Sequence, residues 1–321
     1  MSPPVISADP TPVTTPVLDP LQKRTRPRRL INTCTRKLEE FPSDDSVPCY
    51  AILSHRWEAG QEISYQEMVH LSDTLRLKSG YKKIVNACNL ARQDGHAYIW
   101  IDTCCINSGD HGQRSQDINS MFNYYEHSGV CLVYLHDYTT PPDSNDYLGG
   151  PIDSDEFDNW KPSPELEDST WFSRGWTLQE LLAPPSVLFI TAEWKPIRVG
   201  MKLLCSDIQR VTGISVDVLV GREKINTISI VERMSWAINR QTTKEEDRAY
   251  CLLGLLDVTM ESRYGEGVES AFERLSNVLH ECYPDRLEGV PKTGRDIMEY
   301  LSVKNAETQN DPGWFFENPL F

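Results

Sequence analysis

Some residues in this chain have types and spacings that bear on chemistry. Trp176 and Glu180 stand four apart, so on a helix an indole and a carboxyl share one face. A carboxylate fixed in a crevice stabilises positive charge developing beside it or takes up a proton. By residue type alone, Glu180 reads as an exposed helical glutamate. Asp102 closes the apolar run Ala97-Tyr-Ile-Trp-Ile101, and an acid at the end of a buried strand needs a partner. It either hydrogen-bonds loop amides or lines a pocket. Cys104 and Cys105 are adjacent, without the two-residue spacer of zinc pairs, and no His-x-x-x-His or second Cys pair answers them. That spacing argues against a metal site. A thiol nucleophile served by His55 or His96 is another chemistry to weigh, against which stands the apolar character of the segment, where thiols are inert. There is no Gly-x-Ser-x-Gly elbow and no Walker A loop, and Gly265-x-Gly267 reads as a turn before a helix. A bound redox cofactor is therefore not expected.

These residues need a scaffold. Residues 50–54 (Tyr-Ala-Ile-Leu-Ser) read as a strand, and within residues 82–92 the positions Ile84, Val85, Cys88, Leu90 and Ala91 fit one face of a helix. Residues 97–101 are a buried-type strand, 114–128 an amphipathic helix and 130–135 another continuous apolar run. Residues 171–182 read as a helix entry and helix, closed by Ala183-Pro184-Pro185 before a last strand at 187–190. Strands spaced by helices imply an α/β fold with a mostly parallel sheet. Open sheets of this kind bind small molecules at the C-terminal ends of their strands, here 54–57 and 102–107. Beyond 195 the pattern turns helical, at about 200–212, 227–240, 244–256 and 267–282.

The predicted organisation is a disordered tail over 1–28, an α/β domain over 29–195, a helical annex over 196–284 packed on it, and a loosely ordered tail over 285–321. An exposed insert at 137–168 holds ten acidic residues against one lysine. The basic knot Lys23, Arg24, Arg26, Arg28 and Arg29 reads as a solvated charge run. A net charge of −15 over 321 residues repels phosphate backbones and acidic membranes alike, which sets aside generic nucleic-acid binding. Nine irregularly spaced cysteines suit reduced thiols in a cytoplasmic protein. No signal-type apolar region and no membrane-span-length stretch is present, so neither export nor anchoring is expected.

Three segments, in order, resemble the heterokaryon-incompatibility (HET) family of fungal proteins: Tyr50-Ala-Ile-Leu-Ser-His-Arg-Trp57, Tyr98-Ile-Trp-Ile-Asp-Thr-Cys-Cys-Ile-Asn107 and Trp171-Phe-Ser-Arg-Gly-Trp-Thr-Leu-Gln-Glu-Leu-Leu-Ala-Pro184. Arg233-Met-Ser-Trp-Ala237, Glu246-Asp-Arg-Ala-Tyr-Cys-Leu-Leu-Gly-Leu-Leu-Asp257 and Tyr264-Gly-Glu-Gly267 look like the helical region that follows HET motifs, so the resemblance covers about 45–282. The chain departs from the pattern at Glu58, where the family commonly has Gly, and at Ser108, where it commonly has Gln.

The resemblance implies a TIR/flavodoxin-like fold, because HET domains are regarded as relatives of TIR domains, and a role in programmed cell death after non-self contact. In TIR enzymes that hydrolyse NAD, a helix of Ser-x-Trp-x-x-x-Glu type carries the catalytic Glu, which makes Glu180 the candidate catalytic residue and NAD a substrate, with no cofactor and no metal. Cleavage between ribose and nicotinamide passes through an oxocarbenium-like state that a fixed carboxylate stabilises. Ser54, His55, Arg56, Trp57, Asp102, Asn107 and Trp176 are the candidate substrate-binding residues. Arg56 would pair with the pyrophosphate, while Trp57 and Trp176 either stack on a base or pack the helix onto the sheet. The alternative is a non-enzymatic adaptor that only associates with like domains. Self-association is expected in both cases. Many family members carry a sensor after this region, so a separate sensor protein is the other expected partner.

Overall fold

The computed structural model describes residues 21–139, 166, 168–197 and 201–302. Most of the acidic insert, residues 1–20 of the expected tail and residues 303–321 lie outside them. The described residues form six strands, of which β3 to β6 are short apolar runs: β1 (Arg29–Asn32), β2 (Leu38–Glu40), β3 (Ala51–His55), β4 (Tyr98–Trp100), β5 (Val130–Tyr134) and β6 (Val187–Ile190). They lie in one sheet in the order β2-β1-β4-β3-β5-β6. β3 pairs in parallel with β4 and β5, and β5 with β6, whereas β1 runs antiparallel to β4 and β2. The parallel strands thus reverse their direction of growth beside β3, and an open sheet has its crevice where strand order reverses, here between the C-terminal ends of β3 and β5.

The helices are α1 (Tyr65–Val69), α2 (Ser79–Gln93), α3 (Asp102–Cys105), α4 (His111–Glu126), α5 (Thr177–Leu182), α6 (Met201–Thr212), α7 (Val216–Leu219), α8 (Ile230–Ser235), α9 (Asp247–Tyr250), α10 (Leu253–Leu256), α11 (Val268–Cys282) and α12 (Gly294–Tyr300). None among the described residues is long and apolar enough to cross a membrane. Buried apolar side chains from Leu30 to Leu301 form one contiguous cluster, so sheet and C-terminal helices share a core.

Helix α4 explains how the two parts fit. The sequence pattern predicts an amphipathic helix, yet Ser115, Gln116, Asp117, Asn119 and Ser120 are buried along with its apolar residues. Buried polar groups persist where they are hydrogen-bonded. Asn119 pairs twice with the backbone of Met260 (2.9 and 3.0 Å), and Ser115 Oγ accepts from Ser262 N at 3.0 Å. Ser120 Oγ accepts from Arg24 N at 2.8 Å, and Arg24 Nε donates to Asp44 Oδ1 at 2.8 Å. The basic segment is therefore not the solvated run that its composition suggests, since Arg24 and Arg29 are buried on partners that α4 and its neighbours supply.

Other local differences have equally plain causes. β1 and β2 went unrecognised in the sequence because charged residues dominate so short a pair. Residues 171–176 are turns, not helix, and α5 starts at Thr177. α12 forms in a stretch expected to be loose because Thr293 and Asp296 cap it reciprocally (3.1 and 3.2 Å). The Tyr264-Gly-Glu-Gly267 turn wraps its amides around the Glu246 carboxylate, with Gly265 N at 2.6 Å from Oε1.

α4 and the annex approach closely at Gly254, where a Cβ would sit 2.3 Å from Phe122 Cβ. Gly254→Ala is expected to overpack this contact and cost about 1–3 kcal/mol, read as a lower denaturant midpoint with an unchanged slope.

Candidate functional site

The third motif brings an acid to the sheet crevice by an irregular route. The Trp171–Trp176 turns pass over the end of β3 before α5 begins, and Glu180 sits on the first turn of α5. Its side chain is buried, with 6% of the residue exposed. Ser54 Oγ, at the C-terminal end of β3, donates to Glu180 Oε2 and accepts from Trp171 Nε1 at 2.7 Å. Tyr125 from α4 hydrogen-bonds the same carboxyl and donates from its hydroxyl to Leu53 O at 3.3 Å. Burial pushes the Glu180 carboxyl up to about 8, with the Asp102 charge adding to the rise and the Ser54 and Tyr125 hydrogen bonds and Arg174 opposing it. Burial also holds the Tyr125 hydroxyl and Cys131 thiol far above their ordinary ranges.

Adjacent strand residues project to opposite faces, so His55 leaves β3 away from Glu180. Its Nε2 lies 3.0 Å from Asp102 Oδ1, and its buried Nδ1 meets no hydrogen-bond partner among the described residues. Asp102 Oδ2 accepts from Trp57 Nε1 at 2.8 Å, while Oδ1 also accepts from Thr103 N at 2.7 Å. Asp102 therefore both caps its own loop and orients two neighbours. Trp57 is 54% exposed. Arg56 is exposed as well, with only long contacts from Nη1 to His136 Nε2 (3.4 Å) and Thr170 Oγ1 (3.5 Å). Both stand on the rim at the strand ends.

Of the candidate residues, then, Ser54 meets Glu180 directly, and His55, Trp57 and Asp102 form a separate group on the other side of β3. Asn107 closes a turn, accepting from Gln66 Nε2 (2.9 Å) and Gly109 N (3.2 Å). Trp176 is partly buried and lies beside Asp247 of the annex, and among the described residues it makes no hydrogen bond to Glu180. The expected exposed glutamate is corrected by the burial of Glu180. Trp171, Tyr125 and Arg174 were missed: Trp171 opens the third motif, but it lies nine residues before Glu180, outside any helical spacing, and only the turns between them bring it round. The Cys104 and Cys105 sulfurs face the backbone of Ile101, and neither meets a histidine.

Comparison with known proteins fixes the class of this region. Residues 50–180 match the family model for heterokaryon incompatibility protein (HET), a span that opens at the residue before β3 and ends on Glu180. The match covers less than half of the chain. Over 291 residues, 89% of its length, the chain is 40% identical to vegetative incompatibility protein HET-E-1 of Podospora anserina. It spans 20% of that protein's length. No solved structure matches.

The raised Glu180 carboxyl has a consequence for stability. The folded chain holds a proton that the unfolded chain has released between the ordinary value of 4.5 and about 8, so its contribution to stability falls as pH rises through that window. Glu180→Gln, neutral throughout, is expected to gain about 1–3 kcal/mol relative to the parent between about pH 5 and about pH 8, measured by chemical denaturation; parallel curves for the two proteins would contradict a neutral buried acid.

Proposed function

We propose that the chain is an incompatibility effector module of TIR-like type that acts in cell death after non-self contact, and that Glu180 gives it the capacity to cleave NAD. The observation that carries this reading is a carboxyl enclosed at the strand-reversal crevice, held by Ser54 and raised in proton affinity, the kind of perturbed group that marks functional sites. The order of the parallel strands, with the first beside both the second and third, is that of flavodoxin-like sheets and supports the TIR-like assignment. The similarity to a vegetative incompatibility protein supports the biological role. Nine free thiols suit a cytoplasmic site of action.

The chemistry follows from the substrate's charge. The nicotinamide ring of NAD is cationic, and a cation placed against Glu180 draws off its proton. As the bond between ribose C1′ and the ring nitrogen breaks, its electron pair neutralises the ring, and the positive charge passes to C1′ and the ribose oxygen, where the carboxylate stabilises it. Water then adds to C1′ and releases a proton, giving ADP-ribose and free nicotinamide. Arg56 and Trp57 on the rim would take the pyrophosphate and a base. The enclosure of Glu180 means that the site must open first, a step we assign to self-association or to docking of a sensor protein.

The same enclosure favours a second reading, a non-enzymatic adaptor in which Glu180 serves only packing. Incubation of concentrated protein with NAD separates the two. Nicotinamide release is expected to fall at least about 100-fold in Glu180→Ala, and kcat/KM of the parent should rise about tenfold per pH unit below about pH 8 and then level. Expression in a fungal cell should be toxic, and the toxicity should vanish with Glu180→Ala. Equal toxicity of both proteins with no nicotinamide from either would establish the adaptor.

A further inference from the structure

Arg240 carries a buried guanidinium for which no carboxylate among the described residues comes within ion-pair distance. A charge in that position is costly unless something compensates it. Its Nε and Nη1 donors are directed at its own turn and at the segment that carries Glu180: Nε to Trp236 O at 3.0 Å, and Nη1 to Arg174 O at 3.0 Å and Thr177 Oγ1 at 3.1 Å. Thr177 is the first residue of α5, and its hydroxyl lies 2.7 Å from Trp171 O. Trp171 in turn holds Ser54 on the acid. The next residue continues the grip, because Gln241 N donates to Ser173 O at 2.7 Å and Gly175 N donates to Gln241 O at 2.8 Å. Gly175 has no room for a side chain there, since a Cβ would lie 2.7 Å from Thr242 Cγ2 and 3.0 Å from Cys251 Sγ.

We propose that Arg240 is a positioning residue for the Glu180 site: it fixes the turns before α5 from the annex side and, beside Arg174, adds buried positive charge next to the first turn of α5 when the Glu180 carboxyl ionises. The proposal rests on the reading of Glu180 as the functional acid. The groups facing Glu180 are Ser54 on β3, Tyr125 on α4, Cys131 on β5 and Arg174 in the preceding turn, with the Asp102 charge felt from the other side of β3; those in the field of Arg240 are Cys251 and Glu180 itself, three residues along α5 from the Thr177 that Arg240 holds. Burial lowers Arg240 to about 10, which leaves it cationic at neutral pH. With Glu180 protonated, Arg240 is an uncompensated charge in the core. With Glu180 ionised, the two charges offset each other, so the annex favours the carboxylate that the chemistry requires.

The test reads the carboxyl directly and needs no NAD cleavage. The infrared band of protonated Glu180, identified by its loss in Glu180→Gln, is followed against pH in the full chain. In Arg240→Met the band should persist to a pH at least about one unit higher than in the parent, a tenfold rise in proton affinity. Arg240→Lys, which keeps the charge, should restore most of the difference. Thr177→Val, which keeps the charge and cuts the bridge, should speed amide exchange across residues 171–182 at least about tenfold while moving the titration less. A folded Arg240→Met with the parent's titration and exchange overturns the proposal. Should Arg240→Met fail to fold, unchanged exchange in Thr177→Val overturns it. If the parent releases no nicotinamide but these shifts appear, the positioning role stands and the NAD reading fails.

Discussion

The enclosure of one carboxyl determines how the rest of the chain is arranged. Burial pushes the Glu180 carboxyl up to about 8, and the enclosure is built by Ser54, which grips the acid, by Trp171, which holds Ser54, and by Tyr125, which borders the carboxyl. Each partner comes from a different element, so the turns of the third motif, the end of β3 and the buried face of α4 must meet at one point. A hydrogen-bonded polar cluster of this kind specifies a unique packing because a half-satisfied version of it is worse than an apolar core.

The shared core of sheet and annex follows from the same requirement. Helix α4 is polar on faces that a surface helix would leave to solvent, and the backbone of Met260 and Ser262 satisfies those groups. On the other side, Arg240 and Gln241 hold the turns before α5. The helical part is thus joined to the sheet by directed polar contacts as well as by apolar burial, and that makes it part of the site.

The parallel strands were legible in the sequence because a strand buried on both faces is an uninterrupted apolar run, as in Cys131-Leu-Val133 or Val187-Leu-Phe-Ile190. Glu180 and Ser54 were legible from motif and position. The edge pair β1 and β2 was not, since its buried Arg29 reads as surface charge until its partners, Cys105 O and Gln113 Oε1, are known. Trp176 looked like the site's indole because helical spacing links it to Glu180, yet it turns to Asp247, and Trp171 takes that place through a non-helical turn that no periodicity describes. Arg240 was illegible for the same reason: its contact with Thr177 spans a separation of 63 residues along the chain.

Ser54 and His55 are consecutive residues of β3 that leave on opposite sides, one gripping Glu180 and the other Asp102. The end of this strand therefore works as a see-saw plank clamped at both sides. Exposed Trp57 is therefore two contacts, through Asp102 and His55, from the strand that also grips the buried acid. The outer surface and the enclosed carboxyl share this one short stretch of backbone.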